Sequence, residues 1–221
     1  MKSSRRLRRI SPVVVAIVGG SSSGKTWLAD KLQALFGPQA GRLSQDDFYR
    51  DRSHLSPARR AKLNFDHPRA IDWPGFESAL RDLVAGHKTR VPDYDFATHS
   101  RRKKLKAIKP KPLFLVDGLW LLRRPSMRQL FHLSVYLDCP TQTRLKRRLA
   151  RDLISRGRTR ASVREQFWQT VEPMHLRYVV PQSRWADLVF TKPCSPRGVQ
   201  QLAKRISQLL PSVKQPSVKA P

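Results

Sequence analysis

Gly19, four further residues, and then Gly24-Lys25-Thr26 have the spacing of a phosphate-binding loop. In such a loop Gly19, Gly20, Ser21, Ser22, Ser23 and Gly24 turn successive backbone N–H groups inward. The N-terminus of the following helix adds positive potential at the same place. Lys25 then reaches the β- and γ-phosphates of a nucleoside triphosphate such as ATP, and the Thr26 hydroxyl ligates Mg²⁺.

Phosphoryl transfer needs little else from a protein beyond positioning, charge neutralisation and a carboxylate to take the nucleophile's proton. Asp46 and Asp117 are the carboxylates placed to supply these, each expected at the carboxyl end of a strand, where α/β sheets bind ligands. Asp46 is the candidate general base and a candidate metal ligand, with Asp47 beside it as a possible cap of the local turn. Asp117 is a candidate Mg²⁺ ligand, direct or through water. Arg148, Arg151, Arg156 and Arg158 flank Gly157 across a helix break, the arrangement of a lid that folds over a triphosphate and stabilises transition-state charge.

The elements that must position these residues alternate between strand and helix. Residues 13–18 form a continuous apolar run suited to a strand buried on both faces, and 113–117 and 133–137 read the same way. A short strand is expected around 42–44 and a last one over 186–190. Helices are expected over 27–36, 74–85 (capped by Asp72), 141–155, 162–178 with a bend at Pro173, and 196–210 behind Ser195 and Pro196. Residues 50–72 read as loop, and 91–111 as an extended, charged excursion. The pattern predicts a three-layer α/β P-loop fold with a mainly parallel sheet. One kinase domain should span 12–210, with the substrate excursion near 90–111 and the lid near 151–161. A basic tail over 1–11 precedes it and a disordered proline-rich tail over 211–221 follows.

Composition narrows the class. The chain has 221 residues, 39% of them hydrophobic, and no run approaches the roughly 20 apolar residues of a membrane span. The basic N-terminus followed by an apolar run has the outline of a targeting peptide, but cleavage after that run would destroy the phosphate loop. Cys139 and Cys194 supply neither a disulfide framework nor metal-ligand spacing, and a cytoplasmic protein is expected. Lys and Arg number 44 against 16 Asp and Glu, a formal charge of +28, which attracts polyanions and makes nucleic-acid binding through the basic tails a second expectation. A guanine-reading Asn-Lys-x-Asp is absent, and the second strand ends in Asp117-Gly118 where a motor or helicase would usually place Asp-Glu. A small-molecule kinase is the better reading.

Several blocks make the chain resemble the uridine kinase (uridine–cytidine kinase) family over about 13–190. They are the phosphate loop, Ser44-Gln45-Asp46-x-Phe48-Tyr49, Asn64-Phe65-Asp66-His67-Pro68, Tyr94-Asp95-Phe96-Ala97-Thr98-His99-Ser100-Arg101, Asp117-Gly118, and the arginine run through Arg158 to Gln166. The resemblance implies Mg²⁺-dependent transfer of the ATP γ-phosphoryl group to the 5′-hydroxyl of uridine or cytidine, in a homo-oligomer. By the same resemblance Asp46 is the base, Asp66, Arg148 and Gln166 contact the ribose hydroxyls, and Tyr94 and His99 read the pyrimidine edge. Phe65, Phe96 and Tyr49 form an aromatic slot around the base. Three positions depart from the family pattern: Asp117 stands where Glu is usual, Asp47 where Ser is usual, and Arg102-Lys103-Lys104-Leu105-Lys106 is basic where acidic residues are common. Asp47 keeps nicotinamide riboside open as an acceptor. Pantothenate, a sugar phosphate, and a nucleotide-sensing RNA-binding role are the remaining alternatives.

Overall fold

The computed structural model describes residues 11–211, so the two expected tails lie outside the described residues except for Ser11 and Pro211. Strand β1 (Val13–Gly19) is buried along its whole length. Helix α1 (Lys25–Phe36) follows the phosphate loop, and β2 (Ala40–Ser44) leads into a short 3₁₀ turn over Gln45–Phe48. Next come α2 (Pro57–Ala61) and α3 (Trp73–Val84), the latter capped by Asp72, whose carboxylate accepts from the Gly75 N–H. The excursion contains β3 (Thr89–Val91), β4 (Tyr94–Asp95), β5 (Ser100–Arg101) and β6 (Lys106–Ile108), paired antiparallel as β3–β6 and β4–β5. After β7 (Leu113–Gly118), α4 (Pro125–Arg128) and β8 (Leu133–Leu137) comes the basic helix α5 (Thr141–Ser155). Helices α6 (Arg160–Gln166) and α7 (Glu172–Met174), strand β9 (Leu188–Phe190) and α8 (Pro196–Leu209) complete the chain.

The main sheet has the order β2-β7-β1-β8-β9, with every neighbouring pair parallel. Alternation along each strand sends side chains to two separate layers. Val14, Ala16 and Val18 join Phe114, Val116 and the α3 residues Phe76, Leu80 and Leu83 on one face. Val13, Val15 and Ile17 join Leu113 and Leu115, with Leu28 and Leu32 of α1 and Leu202 and Ile206 of α8, on the other. Each of these Val, Leu, Ile and Phe side chains, fully removed from water, contributes about 1.5–3 kcal/mol, so the sheet is the rigid frame on which the loops at its carboxyl edge are mounted.

Three expectations are adjusted. Residues 50–72 are not all loop: Ser56 caps α2 through its hydroxyl, which accepts from the Arg59 N–H, and Pro57 starts the helix. The helix expected over 162–178 begins earlier, at Arg160, and runs through two π-helical segments, Phe167–Val171 and His175–Val179, on either side of α7. Pro173 has no N–H to donate, and wide turns beside it take up the register change. The Thr170 hydroxyl donates to the Gln166 carbonyl at 2.9 Å inside the first of them. Finally, the turn after β2 is capped by Ser44, whose hydroxyl accepts from the Asp46 N–H, and not by Asp47.

Candidate active site

The phosphate loop closes at the carboxyl end of β1. Ser22 (φ 62°) and Gly24 (φ 104°) both hold left-handed backbone, the local geometry that turns neighbouring N–H groups to one side. Lys25 is buried, and its Nζ donates to the Gly20 carbonyl at 2.9 Å. A Cβ on Gly20 would lie 2.7 Å from His175 Nδ1 and 3.1 Å from Arg144 Cδ, so the loop is backed directly by these side chains. Arg144 is itself held by Glu172 at 2.6 Å and by the Cys139 carbonyl at 3.0 Å. Burial, reinforced by the Arg144 cation, pulls the His175 imidazole down to about 4, so it packs against the loop as a neutral ring.

A cavity of about 720 Å³ runs from this loop to the excursion. Ser21, Ser22, Gly24, Lys25, Thr26 and Asp46 line one end, and Tyr49, Phe65, Asp66, Tyr94, Phe96 and His99 the other. Arg147, Arg148, Arg151, Arg156, Arg158 and Gln166 close one side. Asp46 Oδ1 is buried and has no hydrogen-bond partner. Burial raises its pKa first, Lys25 opposes that, and Asp117 adds to it; the net direction is upward, which makes the ionised carboxylate a stronger proton acceptor than a free aspartate. Lys25 is lowered by burial, against the pull of Asp46 and Asp117.

The aromatic end is a connected set. Phe65 and His99 stack at 4.4 Å and 10°, while Tyr49, Tyr94 and Phe96 pack at centroid distances of 5.1–6.1 Å. His99 holds φ 52°, and the Tyr94 hydroxyl is buried without a partner. Burial, together with the nearby Arg156, Arg158 and Arg60, lowers the His99 pKa, so the ring is neutral and presents one donor and one acceptor. Burial likewise raises Tyr94 and Asp66. Arg101 ties the excursion to the turn carrying Asp46, donating to the Tyr49 carbonyl at 2.8 Å and pairing with Asp72 at 3.2 Å.

The arginines are organised around one carboxylate. Asp152 is fully buried and takes Arg151 at 2.8 Å, Arg148 at 3.4 Å and Arg156 at 3.5 Å. Arg148 also donates to the Ser21 hydroxyl at 2.9 Å and to Gln166 Oε1 at 2.8 Å, and Arg158 donates to the same Gln166 oxygen. Arg156 lies over Phe96 at 4.7 Å. One side of the lid thereby touches the phosphate loop and the other the aromatic slot.

Two expected residues stand apart from the cavity. Asp117 is buried at the end of β7 beside Ser44 of β2, and its Oδ1 accepts from Arg42 at 2.8 Å. It does not line the cavity and acts on Lys25 and Asp46 through its charge. Asp47 faces Lys106 of β6 at 2.9 Å, and Lys106 bridges on to Asp93 at the same distance. Two departures from the family pattern thus neutralise each other. An exposed pair of this kind is worth at most about 1 kcal/mol, so Asp47→Ser should alter the preference between acceptors by less than about fivefold. Competition assays on the variant check this, and a larger swing would return Asp47 to acceptor choice.

Other residues escape sequence reasoning. Arg60 and Pro57 line the cavity from α2, for which Ser56-Pro57 was an available cap signal. Gln45, fully buried, accepts from the Leu119 and Trp120 N–H groups at 3.0 Å each, and Gln182 accepts from the Leu122 N–H at 2.9 Å. These amides lock the loop after β7, and nothing in their local sequence announces it.

A phosphate loop at the end of β1, a buried carboxylate beside its lysine and an arginine lid define a P-loop kinase. The family model described as Phosphoribulokinase / Uridine kinase family matches residues 14–195, and the chain belongs to that family. It is 39% identical over 180 residues to a protein named uridine kinase from Chloroflexus aurantiacus, covering 81% of this chain and 86% of that one. It is 37% identical over 207 residues to a uridine kinase from Chloroflexus aggregans, covering 93% and 99%. Phosphoribulokinase from Rhodobacter spheroides shares the fold, with a TM-score of 0.61 at 18% identity over 81% of this chain and 70% of that one.

Proposed function

We propose that this protein transfers the γ-phosphoryl group of ATP to the 5′-hydroxyl of a pyrimidine nucleoside, uridine or cytidine. The observation that carries the reading is a single cavity joining Asp46, whose buried Oδ1 has no hydrogen-bond partner, and Lys25 to an aromatic slot edged by Tyr94 and His99. The uridine kinase names of relatives near 40% identity support the same acceptor.

In this reading the loop N–H groups and Lys25 hold the triphosphate, and Arg147, Arg151, Arg156 and Arg158 neutralise charge that develops on the transferring group. A smaller cavity of about 280 Å³ between Trp27, Arg147 and Pro193 adjoins the loop and suits the adenine ring. Asp46 accepts the proton of the attacking hydroxyl. Asp66, Arg148 and Gln166 orient the ribose, whose hydroxyls match carboxylate, guanidinium and amide partners. Phe65, Phe96 and Tyr49 flank the base, while the Tyr94 hydroxyl and the neutral His99 meet its edge.

The donor set fits Mg²⁺: Thr26 and Asp46 both face the phosphate end of the cavity, and one or two protein oxygens suffice for an ion held mainly by phosphates. When bound, Mg²⁺ would draw charge from the β- and γ-phosphate oxygens. Asp117, engaged by Arg42, reaches such an ion only through its charge or an intervening water. A cytoplasmic enzyme assembled from copies of this chain belongs to the same reading. Among the described residues no helix is long and apolar enough to cross a membrane.

An ADP-release assay with Mg-ATP tests the reading against uridine, cytidine, nicotinamide riboside, adenosine, pantothenate and ribulose 5-phosphate. Turnover confined to uridine and cytidine is expected, and turnover on any other acceptor alone would replace it. His99→Ala should raise the acceptor KM about tenfold, the worth of one lost hydrogen bond in the slot, with the ATP KM unchanged. Equal effects on both constants would remove His99 from base reading.

A further inference from the structure

Away from the cavity, the loop after β7 and the segment from His175 to Trp185 share a face built from arginines stacked on aromatic rings. Tyr178 has Arg123 at 4.7 Å and Arg177 at 5.2 Å from its ring centre. Trp185 has Arg184 at 4.2 Å and Arg128 at 4.5 Å. Trp73 carries Arg124 at 5.3 Å. The set is continuous: His67 packs edge-on against Tyr178, with its Nε2 3.0 Å from the hydroxyl, and Trp73 Nε1 donates to the Pro68 carbonyl next door. Arg128 donates to the Leu122 carbonyl, joining Trp185 to the same loop.

What separates these arginines from the lid is their lack of counter-charge. Asp152 serves the lid. On this face only Arg124 has a carboxylate among the described residues, Glu77 at 2.7 Å. Arg123, Arg177 and Arg184 are exposed, and stacking holds their guanidinium planes without neutralising them.

We propose that this face binds single-stranded nucleic acid. Stacked guanidinium planes offer paired donors to phosphates and flat cations to bases, the two contacts by which sequence-tolerant single-strand binding works. A second copy of the chain is a poor occupant. The chain has only 16 acidic residues, and nine are already in ion pairs: Asp30 and Asp117 with Arg42, Asp72 with Arg101, Asp93 and Asp95 with Arg102, Asp47 with Lys106, Glu77 with Arg124, Asp152 with the lid and Glu172 with Arg144. With a net charge of +28, this face meeting its own image would oppose like charges. Arg123, Arg124, Arg128, Arg177 and Arg184 do not line the kinase cavity, so the two activities are separable.

The test is fluorescence anisotropy of the full chain with a 5′-labelled 20-nucleotide oligo(dA), which offers no pyrimidine to the acceptor slot. The face variant carries Arg123→Ser, Arg128→Ser, Arg177→Ser and Arg184→Ser. A charge-matched control carries Lys31→Ser, Lys88→Ser, Lys146→Ser and Lys204→Ser. At about 150 mM salt the face variant should bind at least about tenfold more weakly than wild type, with its log–log salt slope reduced by about 3 for four lost phosphate contacts. The control should lose less than about threefold, and kcat/KM for the kinase reaction should be unchanged in both. Equal losses in the two variants would mean net charge alone and overturn the site. Undetectable binding by wild type would also overturn it, as would tighter binding to vesicles of 30% phosphatidylserine than to the oligonucleotide.

Discussion

Asp46→Asn is expected to lower kcat by about 10²–10⁴-fold, the range associated with loss of a positioned general base, while ATP affinity changes little. Asn preserves the shape of the side chain in a site where Asp46 Oδ1 is buried and has no protein partner to lose. What disappears is a proton acceptor whose pKa burial has raised, against the pull of Lys25. The triphosphate contacts assigned to loop N–H groups remain, because the turn is capped by the Ser44 hydroxyl and not by the substituted carboxylate, and the Asn oxygen can still face an ion held mainly by phosphates. The pH profile separates this role from simple charge balance. Since Asp46 must be ionised to act, the acid limb of wild-type kcat/KM should fall at a pH above the ordinary aspartate value of 3.8, in the direction of the raised pKa. In the variant that limb should vanish along with the activity. A loss below about tenfold, or an unchanged acid limb, would transfer the base role to another group.

How much of this was legible before the structure depends on how local each signal is. The strand-loop-helix of residues 13–36 is written in contiguous chemistry: an apolar β-branched run, glycines, then a lysine and a hydroxyl. The buried strands 113–117 and 133–137 and the capped helices behind Asp72 and Ser195 follow from equally local rules. Short motif blocks also located the cavity walls, because Phe65, Asp66, Tyr94, Phe96 and His99 converge on one space. What escaped depends on contacts across long stretches of chain. Gln45 meets Leu119 and Trp120, and Arg42 claims Asp117, through pairing of β2 with β7 that no window of sequence displays. The same reason explains Asp47: beside Asp46 in sequence it looks like part of the site, yet its partner Lys106 arrives from the excursion. The wide turns around Pro173 are intermediate, since the proline warned of a break but not of a register change that seats His175 against Gly20.

Asp152→Asn should be the most destabilising single change at the lid, although Asp152 lines no part of the cavity. Its carboxylate is fully buried with Arg148, Arg151 and Arg156 around it, and two of those guanidiniums are themselves largely buried. Removing the carboxylate that pairs with all three leaves clustered cations with reduced access to water, with Asp66 and Asp46 acting on them only through charge, a defect of about 3–5 kcal/mol. For a chain of this size that lowers Tm by roughly 6–20 °C. Burial acts to raise the Asp152 pKa, but the hydrogen bond from Arg151 and the surrounding arginine charges outweigh it, leaving the pKa below 3.8. The sign follows: a depressed carboxylate stabilises the fold at every pH above its unfolded value and loses that contribution as pH falls through the folded value. The gap between wild type and variant should therefore be full at pH 7 and 5 and close only in strong acid. Turnover should fall too, because Arg148 links Ser21 of the phosphate loop to Gln166 and is aligned by Asp152. Pyrophosphate should raise the variant's Tm more than the wild type's, since an anion in the cavity can stand in for the lost carboxylate among the same arginines. An unchanged Tm in the variant, measured by calorimetry at pH 7, would mean that water already screens these arginines and that the lid needs no buried anchor.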